Sequence, residues 1–145
     1  MIIIDTNVIS EVMRPLPHEA AAAWLDRQHP ETLYLTAITI AEIRAGIAVL
    51  PTGKRRNTLA SLFENEFLTR FSGRILSFDE HASNHYASIK SACSRQGKTL
   101  GDFDTLIAAI ARSHKFSVAT RDTTPFINAG VSVINPFEAV YEGTD

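Results

Sequence analysis

Short apolar runs alternate along the chain with longer segments of helical periodicity, and this alternation constrains the fold more than any other feature. The first run, residues 2–4, is three consecutive isoleucines, typical of a strand buried on both faces of a sheet. Because strands that alternate with helices form βαβ units, the sequence predicts an α/β fold. We expect a three-layer α/β/α sandwich with a central parallel sheet of four to five strands. Further runs of strand length lie at 33–36, 74–78, 117–120 and 131–134.

The segments between these runs have the periodicity of helices. Residues 54–71 predict one amphipathic helix, because their apolar residues recur at helical spacing. Asp79 is expected to cap a long helix that reaches about Arg95. Another helix is expected from Asp102 to His114.

The composition is that of an ordinary globular domain, with 145 residues of which 45% are hydrophobic. We expect a single domain over 1–145, with its core at about 1–137 and a short tail at 138–145. The single cysteine excludes an internal disulfide, and the chain shows neither a signal-peptide pattern nor an apolar stretch of membrane-spanning length. These features predict a soluble, cytoplasmic protein with no membrane partner. The net charge of −2 argues against binding nucleic acid by bulk positive charge.

Four acidic residues lie where a parallel sheet forms its sites. Asp5 directly follows the first strand, and Asp122 follows the fourth, so both are expected at the carboxyl edge of the sheet. Glu42 lies in the first turns of the helix after the second strand, which begins at the same edge. Asp104 lies in the first turn of a later helix, and periodicity alone places it less firmly.

A cluster of carboxylates requires a cation, which favours metal chemistry at this edge. Two like charges about 4 Å apart repel by roughly 4 kcal/mol at an effective dielectric constant near 20. Ligation by oxygen alone suits Mg²⁺ or Mn²⁺, which keep several water ligands. Bound water and open coordination positions are what hydrolysis of a phosphodiester needs, so acids that converge predict metal-assisted phosphoryl chemistry.

Each of these acids also has a purely structural explanation. Asp5 and Asp122 suit helix caps or turns, and Asp104 suits the positive end of a helix dipole. The segment Thr39-Ile40-Ala41-Glu42 has the form of a capping box.

Three arginines flank the acidic positions along the chain, and two explanations for them stay open. They could meet a phosphate or balance the acids when metal is absent, or they could form structural ion pairs elsewhere. These residues are Arg44, Arg112 and Arg121.

Four segments, taken in order, resemble the acidic motifs of PIN domains. One such motif alone is weak, but four in order at these separations are a strong signal, and together they cover the chain from Ile2 to about Phe137. The set is similar to the VapC/FitB branch of bacterial toxins, whose members are often named plasmid stability proteins. The segments are Ile2–Val8, Ala41–Gly46, Asp104–Ala109 and Ala119–Asp122.

The resemblance implies the toxin of a type II toxin–antitoxin system, a Mg²⁺- or Mn²⁺-dependent endoribonuclease selective for single strands. It implies a homodimer, a cognate antitoxin that occupies the active-site groove, and operator DNA bound only through the antitoxin complex. The implied metal-binding and catalytic residues are Asp5, Glu42, Asp104 and Asp122. The candidates that orient a carboxylate or water, or that contact a phosphate, are Thr6, Asn7, Asp102, Thr120 and Arg121.

Three other classes of protein could also place acidic residues at the edge of a parallel sheet. A response-regulator receiver domain would have paired acids after the first strand and a lysine after a late strand, and both are missing. A haloacid-dehalogenase-like phosphatase would have D-x-D where Asp5-Thr6-Asn7 stands. The alternative that remains is a non-catalytic RNA- or protein-binding module on the same fold, which would most simply lack one or more of the acids.

Overall fold

A parallel sheet forms the centre of the molecule. The computed structural model describes residues 1–138, so the predicted tail lies outside the described residues except for Glu138. Within that range the sheet has five strands in the order β3-β2-β1-β4-β5, all parallel. The predicted α/β fold is therefore confirmed. The strands are β1 (Ile2–Ile4), β2 (Leu33–Thr36), β3 (Ile75–Leu76), β4 (Ser117–Ala119) and β5 (Val133–Ile134).

Helices cover both faces of this sheet. No helix within residues 1–138 is long and apolar enough to cross a membrane. Asp79 caps α5 as predicted, since its carboxylate accepts a hydrogen bond from the Ala82 amide at 2.9 Å. The helices are α1 (Thr6–Val12), α2 (Glu19–Arg27), α3 (Ala37–Ala48), α4 (Lys54–Ser61), α5 (Glu80–Arg95), α6 (Asp102–His114) and α7 (Thr123–Asn128).

The core is divided into two layers by the sheet, because successive residues of a strand point to opposite faces. Ile3 belongs to the layer built by α5 and α6, together with Ile89 and Ile107. Ile4, its neighbour in β1, belongs to the layer that includes Val8 of α1. Both isoleucines are fully buried, which explains why the first strand is apolar at every position.

The prediction of one helix over residues 54–71 is wrong beyond Ser61. A π-helix and then a 3-10 turn continue the chain from Leu62 to Phe71. Three rings here repeat every four residues, which exceeds the 3.6 residues of an α-turn. The wider π-turn helps to keep them on one face, so all three are buried. These rings are Phe63, Phe67 and Phe71.

The pairing of β1 with β4 positions the functional residues. Ile4 lies opposite Ala119, and the Asp5 amide donates to the Ala119 carbonyl at 2.9 Å. The residues that follow these two strands, Asp5 and Thr120, are therefore neighbours at the carboxyl edge. Strand register alone brings together two residues that are 115 positions apart in the sequence.

Candidate active site

Asp5 lies at the base of the site and is only 5% exposed. One carboxylate oxygen, Oδ1, accepts a hydrogen bond from the Thr6 amide at 2.8 Å, so Asp5 does cap α1. The other oxygen, Oδ2, accepts from the Thr120 hydroxyl at 2.8 Å. Both oxygens are thus held in place by groups from two different segments of the chain.

The Thr120 hydroxyl is the centre of a small hydrogen-bond network. It donates to Asp5 and accepts from the Asn7 side-chain amide at 3.1 Å and from the Asp122 backbone amide at 3.2 Å. The Asn7 carbonyl oxygen in turn accepts from the Arg121 amide at 3.1 Å. This network fixes the turn after β4 against the start of α1, and Thr120 is fully buried within it.

Glu42 reaches the site from the second turn of α3. The N-cap of that helix is Thr36, whose hydroxyl accepts from the Thr39 amide at 3.1 Å. The capping-box interpretation of Glu42 is therefore wrong, because the helix begins before Thr39. The Glu42 carboxylate accepts instead from the Thr6 hydroxyl at 2.9 Å, so it faces the start of α1.

Asp104 is the third residue of α6 and lines the same pocket as Asp5 and Glu42. This acidic pocket has a cavity volume of about 490 Å³. Its walls come from α1, α3 and α6, whose ends meet at the carboxyl edge of the sheet. The acids among its lining residues that were predicted from the sequence are Asp5, Glu42 and Asp104.

Asp122 lies further out than the other three acids. It occupies the N-cap position of α7, but its carboxylate makes no capping hydrogen bond, contrary to the structural explanation. Its side chain is exposed, and it does not line the acidic pocket. It is nevertheless close enough to act on Asp104 electrostatically.

Asp5, Glu42 and Asp104 hold their protons more tightly than free carboxyl groups, whereas the hydrogen bond from the His18 amide lowers the pKa of Glu11. Burial raises the pKa of Asp5 from 3.8 to about 6, and the charges of Asp104 and Glu42 add to that effect against the hydrogen bonds that oppose it. Burial also raises the pKa of Glu42 and of Asp104, and the charge of Asp122 raises that of Asp104 further. Burial is thus the main cause of all three shifts, and the charges of neighbouring acids add to it.

Comparison with known proteins identifies the family. The PIN domain family matches residues 2–131. The chain belongs to the PIN-domain family. VapC ribonuclease Y4jK from Sinorhizobium fredii is 50% identical over 138 residues, which cover 95% of this chain and 99% of the relative. Toxin FitB from Neisseria gonorrhoeae is 49% identical over 137 residues, which cover 94% and 99%.

A solved structure agrees with these relatives. The structure of FitAB bound to an IR36 DNA fragment superposes with a TM-score of 0.92 and 47% identity, over 99% of this chain and 100% of that chain. The resemblance to VapC/FitB toxins is therefore confirmed, and the protein is a PIN domain of that branch.

The donor set of this PIN domain fits a hard divalent cation. The acidic pocket offers carboxylate and hydroxyl oxygens, which Mg²⁺ and Mn²⁺ prefer. Within residues 1–138 no three acidic, histidine or cysteine side chains lie close enough together to hold one ion as a group. Mg²⁺ does not need such a group, because it is bound through one or two carboxylates and keeps several waters.

Two further PIN-domain candidates, Asp102 and Arg121, lie outside the acidic pocket. Asp102 is exposed and pairs with Lys90 at 3.2 Å. The guanidinium of Arg121 lies 3.7 Å from the centre of the Phe137 ring. Neither side chain hydrogen-bonds to a carboxylate of the pocket.

The other two flanking arginines have structural partners. Arg44 binds both carboxylate oxygens of Glu64, at 2.7 and 3.0 Å. Arg112 donates to the Ala129 carbonyl at 3.3 Å. For these two residues the structure favours the structural explanation that the sequence left open.

Three polar residues in α1 and just beyond its end were missed from the sequence. Ser10, Glu11 and Arg14 line the acidic pocket beside Asn7. The Glu11 carboxylate accepts from the His18 amide at 2.8 Å and from Arg14 at 3.3 Å. Together with Asn7 they follow the spacing i, i+3, i+4 and i+7, which is one polar face of a helix that starts at the site. This helical spacing of polar residues after Asp5 could have identified them from the sequence.

A second cavity, which we call the apolar groove, adjoins the acidic pocket. It has a volume of about 1140 Å³ and lies between α1, α3 and α4. Thr6, Ser10, Arg14 and Glu42 line both cavities, so the two are continuous. Apolar residues that line the groove include Val12, Met13, Ile43, Ile47, Leu50 and Leu59.

Proposed function

We propose that this chain is a Mg²⁺- or Mn²⁺-dependent endoribonuclease and acts as the toxin of a toxin–antitoxin pair. The observation that carries the proposal is the meeting of Asp5, Glu42 and Asp104 around one open pocket, with Asp5 buried and its pKa raised. A relative 50% identical to the chain is named a ribonuclease, and another is named a toxin. We further propose that residues 1–145 are one cytoplasmic PIN-like domain, with its core at about 1–137.

The carboxylates of Asp5, Glu42 and Asp104 would hold the divalent ion, with Asp122 contributing charge from the rim. When bound, such an ion neutralises charge on a phosphate and lowers the pKa of a coordinated water, which gives a nucleophile at neutral pH.

The neighbouring residues of the chain keep the acids oriented. The Thr6 amide and the Thr120 hydroxyl fix the two oxygens of Asp5, so the carboxylate cannot turn away from the pocket. The Thr6 hydroxyl restrains Glu42 in the same way. Groups that hold a metal-binding carboxylate in this manner typically change activity 10- to 100-fold when removed.

We propose that the antitoxin binds in the apolar groove. Its aliphatic lining offers a site for the apolar face of a peptide segment, and its continuity with the acidic pocket lets the same segment reach Glu42. A segment bound there would exclude RNA from the acids. We also propose a homodimer that binds operator DNA only through the antitoxin, as the resemblance implies. FitAB, which is similar to this chain, was solved bound to a DNA fragment.

The test is cleavage of a mixed pool of structured and single-stranded RNA by antitoxin-free protein, with Mg²⁺, with Mn²⁺ and with EDTA. We expect cleavage that requires metal and that Asp5→Asn lowers about 10³-fold. Asp26→Asn, an exposed acid in α2, is the matched control and should cleave like wild type. Absence of both cleavage and metal binding in the wild type would favour the non-catalytic binding module instead.

A further inference from the structure

A small basic cavity lies at the turn between α5 and α6. It has a volume of about 360 Å³. We call the surface formed by Lys90, Lys98, Thr99 and Phe103 the α5–α6 corner; the first three line this cavity. The turn leads directly into the acidic pocket, since a Cβ built on Gly101 would lie 3.8 Å from Asp104 Oδ2.

The α5–α6 corner presents hydrogen-bond donors that the protein does not use. Lys98 is exposed and forms no ion pair among residues 1–138. The backbone amides of Thr99 and Leu100 donate to no acceptor within the same range. Gly97, at φ +68°, reverses the chain so that the Lys98 amide bonds back to the Cys93 carbonyl. Cationic and neutral donors together favour an anionic ligand such as a phosphate.

Lys90 is the second cation of the α5–α6 corner, and it already interacts with Asp102 and Tyr86. Its ammonium group pairs with Asp102 at 3.2 Å and lies 5.7 Å from the centre of the Tyr86 ring. The pair ties α5 to the start of α6. Lys98 is therefore the better candidate for a direct contact with a ligand.

Phe103 is an aromatic side chain that packing leaves in solvent. It is 57% exposed, although it stands between Asp102 and Asp104 at the start of α6. Exposed aromatic rings beside cationic groups are the usual means by which proteins bind single-stranded nucleic acid without reading its sequence. The ring offers a face to a base, and the lysines offer charge to the backbone.

We propose that the α5–α6 corner binds the single-stranded RNA substrate on one side of the acidic pocket. Phe103 stacks on a base next to the cleaved position, and Lys98 with the Thr99 amide binds a neighbouring phosphate. The inference rests on the proposed ribonuclease function, and it names the surface that selects single strands, because a base inside a duplex has no free face to stack on.

The experiment measures binding separately from cleavage. A fluorescent single-stranded RNA of mixed sequence is titrated with Asp5→Asn protein in Mg²⁺, and anisotropy gives Kd. Phe103→Ala and Lys98→Ala are made in that background, with Phe103→Trp as the variant that keeps a stacking face. Ile127→Ala is the apolar control, since Ile127 is also 57% exposed. Arg70→Ala, an exposed cation, is the control for charge.

We expect Phe103→Ala to weaken binding about tenfold, Phe103→Trp to retain it, and both controls to stay within about twofold. Lys98→Ala should weaken binding and lower the salt dependence by about 0.7 in log Kd per log salt, the value for one phosphate of a single strand. Phe103→Ala should leave that slope unchanged. A duplex of the same sequence should not respond to Phe103→Ala.

Three results would overturn the proposal: no binding by the parent protein, binding by Phe103→Ala and Lys98→Ala equal to the parent, or loss of the dimer in Phe103→Ala by light scattering. The last would assign the corner to an interface between copies of the chain. Failure of the proposed function would look different, since wild type would then bind the RNA with the corner intact and not cleave it.

Discussion

The candidate site has an inner half and an outer half that are built in different ways. The inner half consists of Asp5, Asn7 and Thr120 and lies where the neighbouring strands β1 and β4 end. The Thr6 amide and the Thr120 hydroxyl donate to the Asp5 carboxylate, and the Asn7 amide donates to the Thr120 hydroxyl. The outer half, Asp104 and Asp122, stands on helix starts, and neither carboxylate accepts a hydrogen bond within residues 1–138.

This difference shows what each half contributes. The inner half is preorganised by the fold, and keeping its buried carboxylate charged lowers the stability of the metal-free protein. The outer half is more solvated, so its acids can adjust when an ion or RNA arrives. We expect substitutions in the inner half to change both catalysis and stability, and substitutions in the outer half to change catalysis more mildly.

The largest expected effect is the contrast between Asp5→Asn and Asp122→Asn. Asp5→Asn should lower kcat about 10³-fold, because it removes a charge at the base of the pocket. Asp122→Asn should lower it about 10- to 100-fold, because Asp122 acts from the rim. Steady-state cleavage of one RNA at saturating concentrations in Mg²⁺ measures both kcat values. An Asp122→Asn loss as large as that of Asp5→Asn would show that the two halves are equivalent.

The next effect concerns pH and metal removal. Because the pKa of Asp5 is raised to about 6, the folded state holds a proton that the unfolded state loses near 3.8. In EDTA the free energy of unfolding should therefore fall by up to about 3 kcal/mol as pH rises from 4 to 7. The raised pKa values of Glu42 and Asp104 act in the same direction.

Urea unfolding at several pH values tests this linkage. Asp5→Asn should show a flatter dependence, and Mg²⁺ at pH 7 should stabilise the wild type but not the variant. If the free energy of unfolding fell equally with pH in the wild type and in Asp5→Asn, the ionisation of Asp5 would not be the cause of the pH dependence.

A smaller effect is expected from Thr120→Val. The substitution keeps the shape of the side chain but leaves Asp5 and the Asp122 amide without a shared hydroxyl. Stability should fall by about 1–3 kcal/mol, since buried polar groups lose their partner. The cleavage rate should fall as well, and Thr120→Ser, which keeps the hydroxyl, should retain both the stability and the cleavage rate of the wild type. Equal behaviour of the valine and serine variants in thermal unfolding would contradict the role of the hydroxyl.

The smallest effect is expected from Asp102→Asn. Asp102 pairs with Lys90 on the surface, and exposed pairs contribute about 0–1 kcal/mol. Stability should change by less than about 1 kcal/mol, and the cleavage rate should stay close to that of wild type in the assay used for Asp122→Asn. A drop as large as that of Asp122→Asn would place Asp102 in the outer half of the site.

The helix boundaries show how far local patterns reach. The start of α6 at Asp102 and the cap of α5 at Asp79 were predicted correctly, because local residues decide a helix start. The continuous helix over residues 54–71 was wrong, because burial of three rings against the rest of the core changed the turn after Ser61. The capping-box alternative for Glu42 was wrong for a related reason, since α3 begins at the end of β2 rather than at Thr39.

By itself, the sequence determined the alternation of strands and helices, the presence of Asp5 and Asp122 at one sheet edge, and the start of the Glu42 helix at that edge. Those features depend on periodicity and on the rule that parallel strands end together. Only the tertiary structure decided that Glu42 and Asp104 share a pocket with Asp5, that Asp122 stays at the rim, and that Glu11 and Arg14 line the pocket. Those positions depend on how α1, α3 and α6 pack across the sheet, and such packing joins residues far apart in the chain that no local pattern connects.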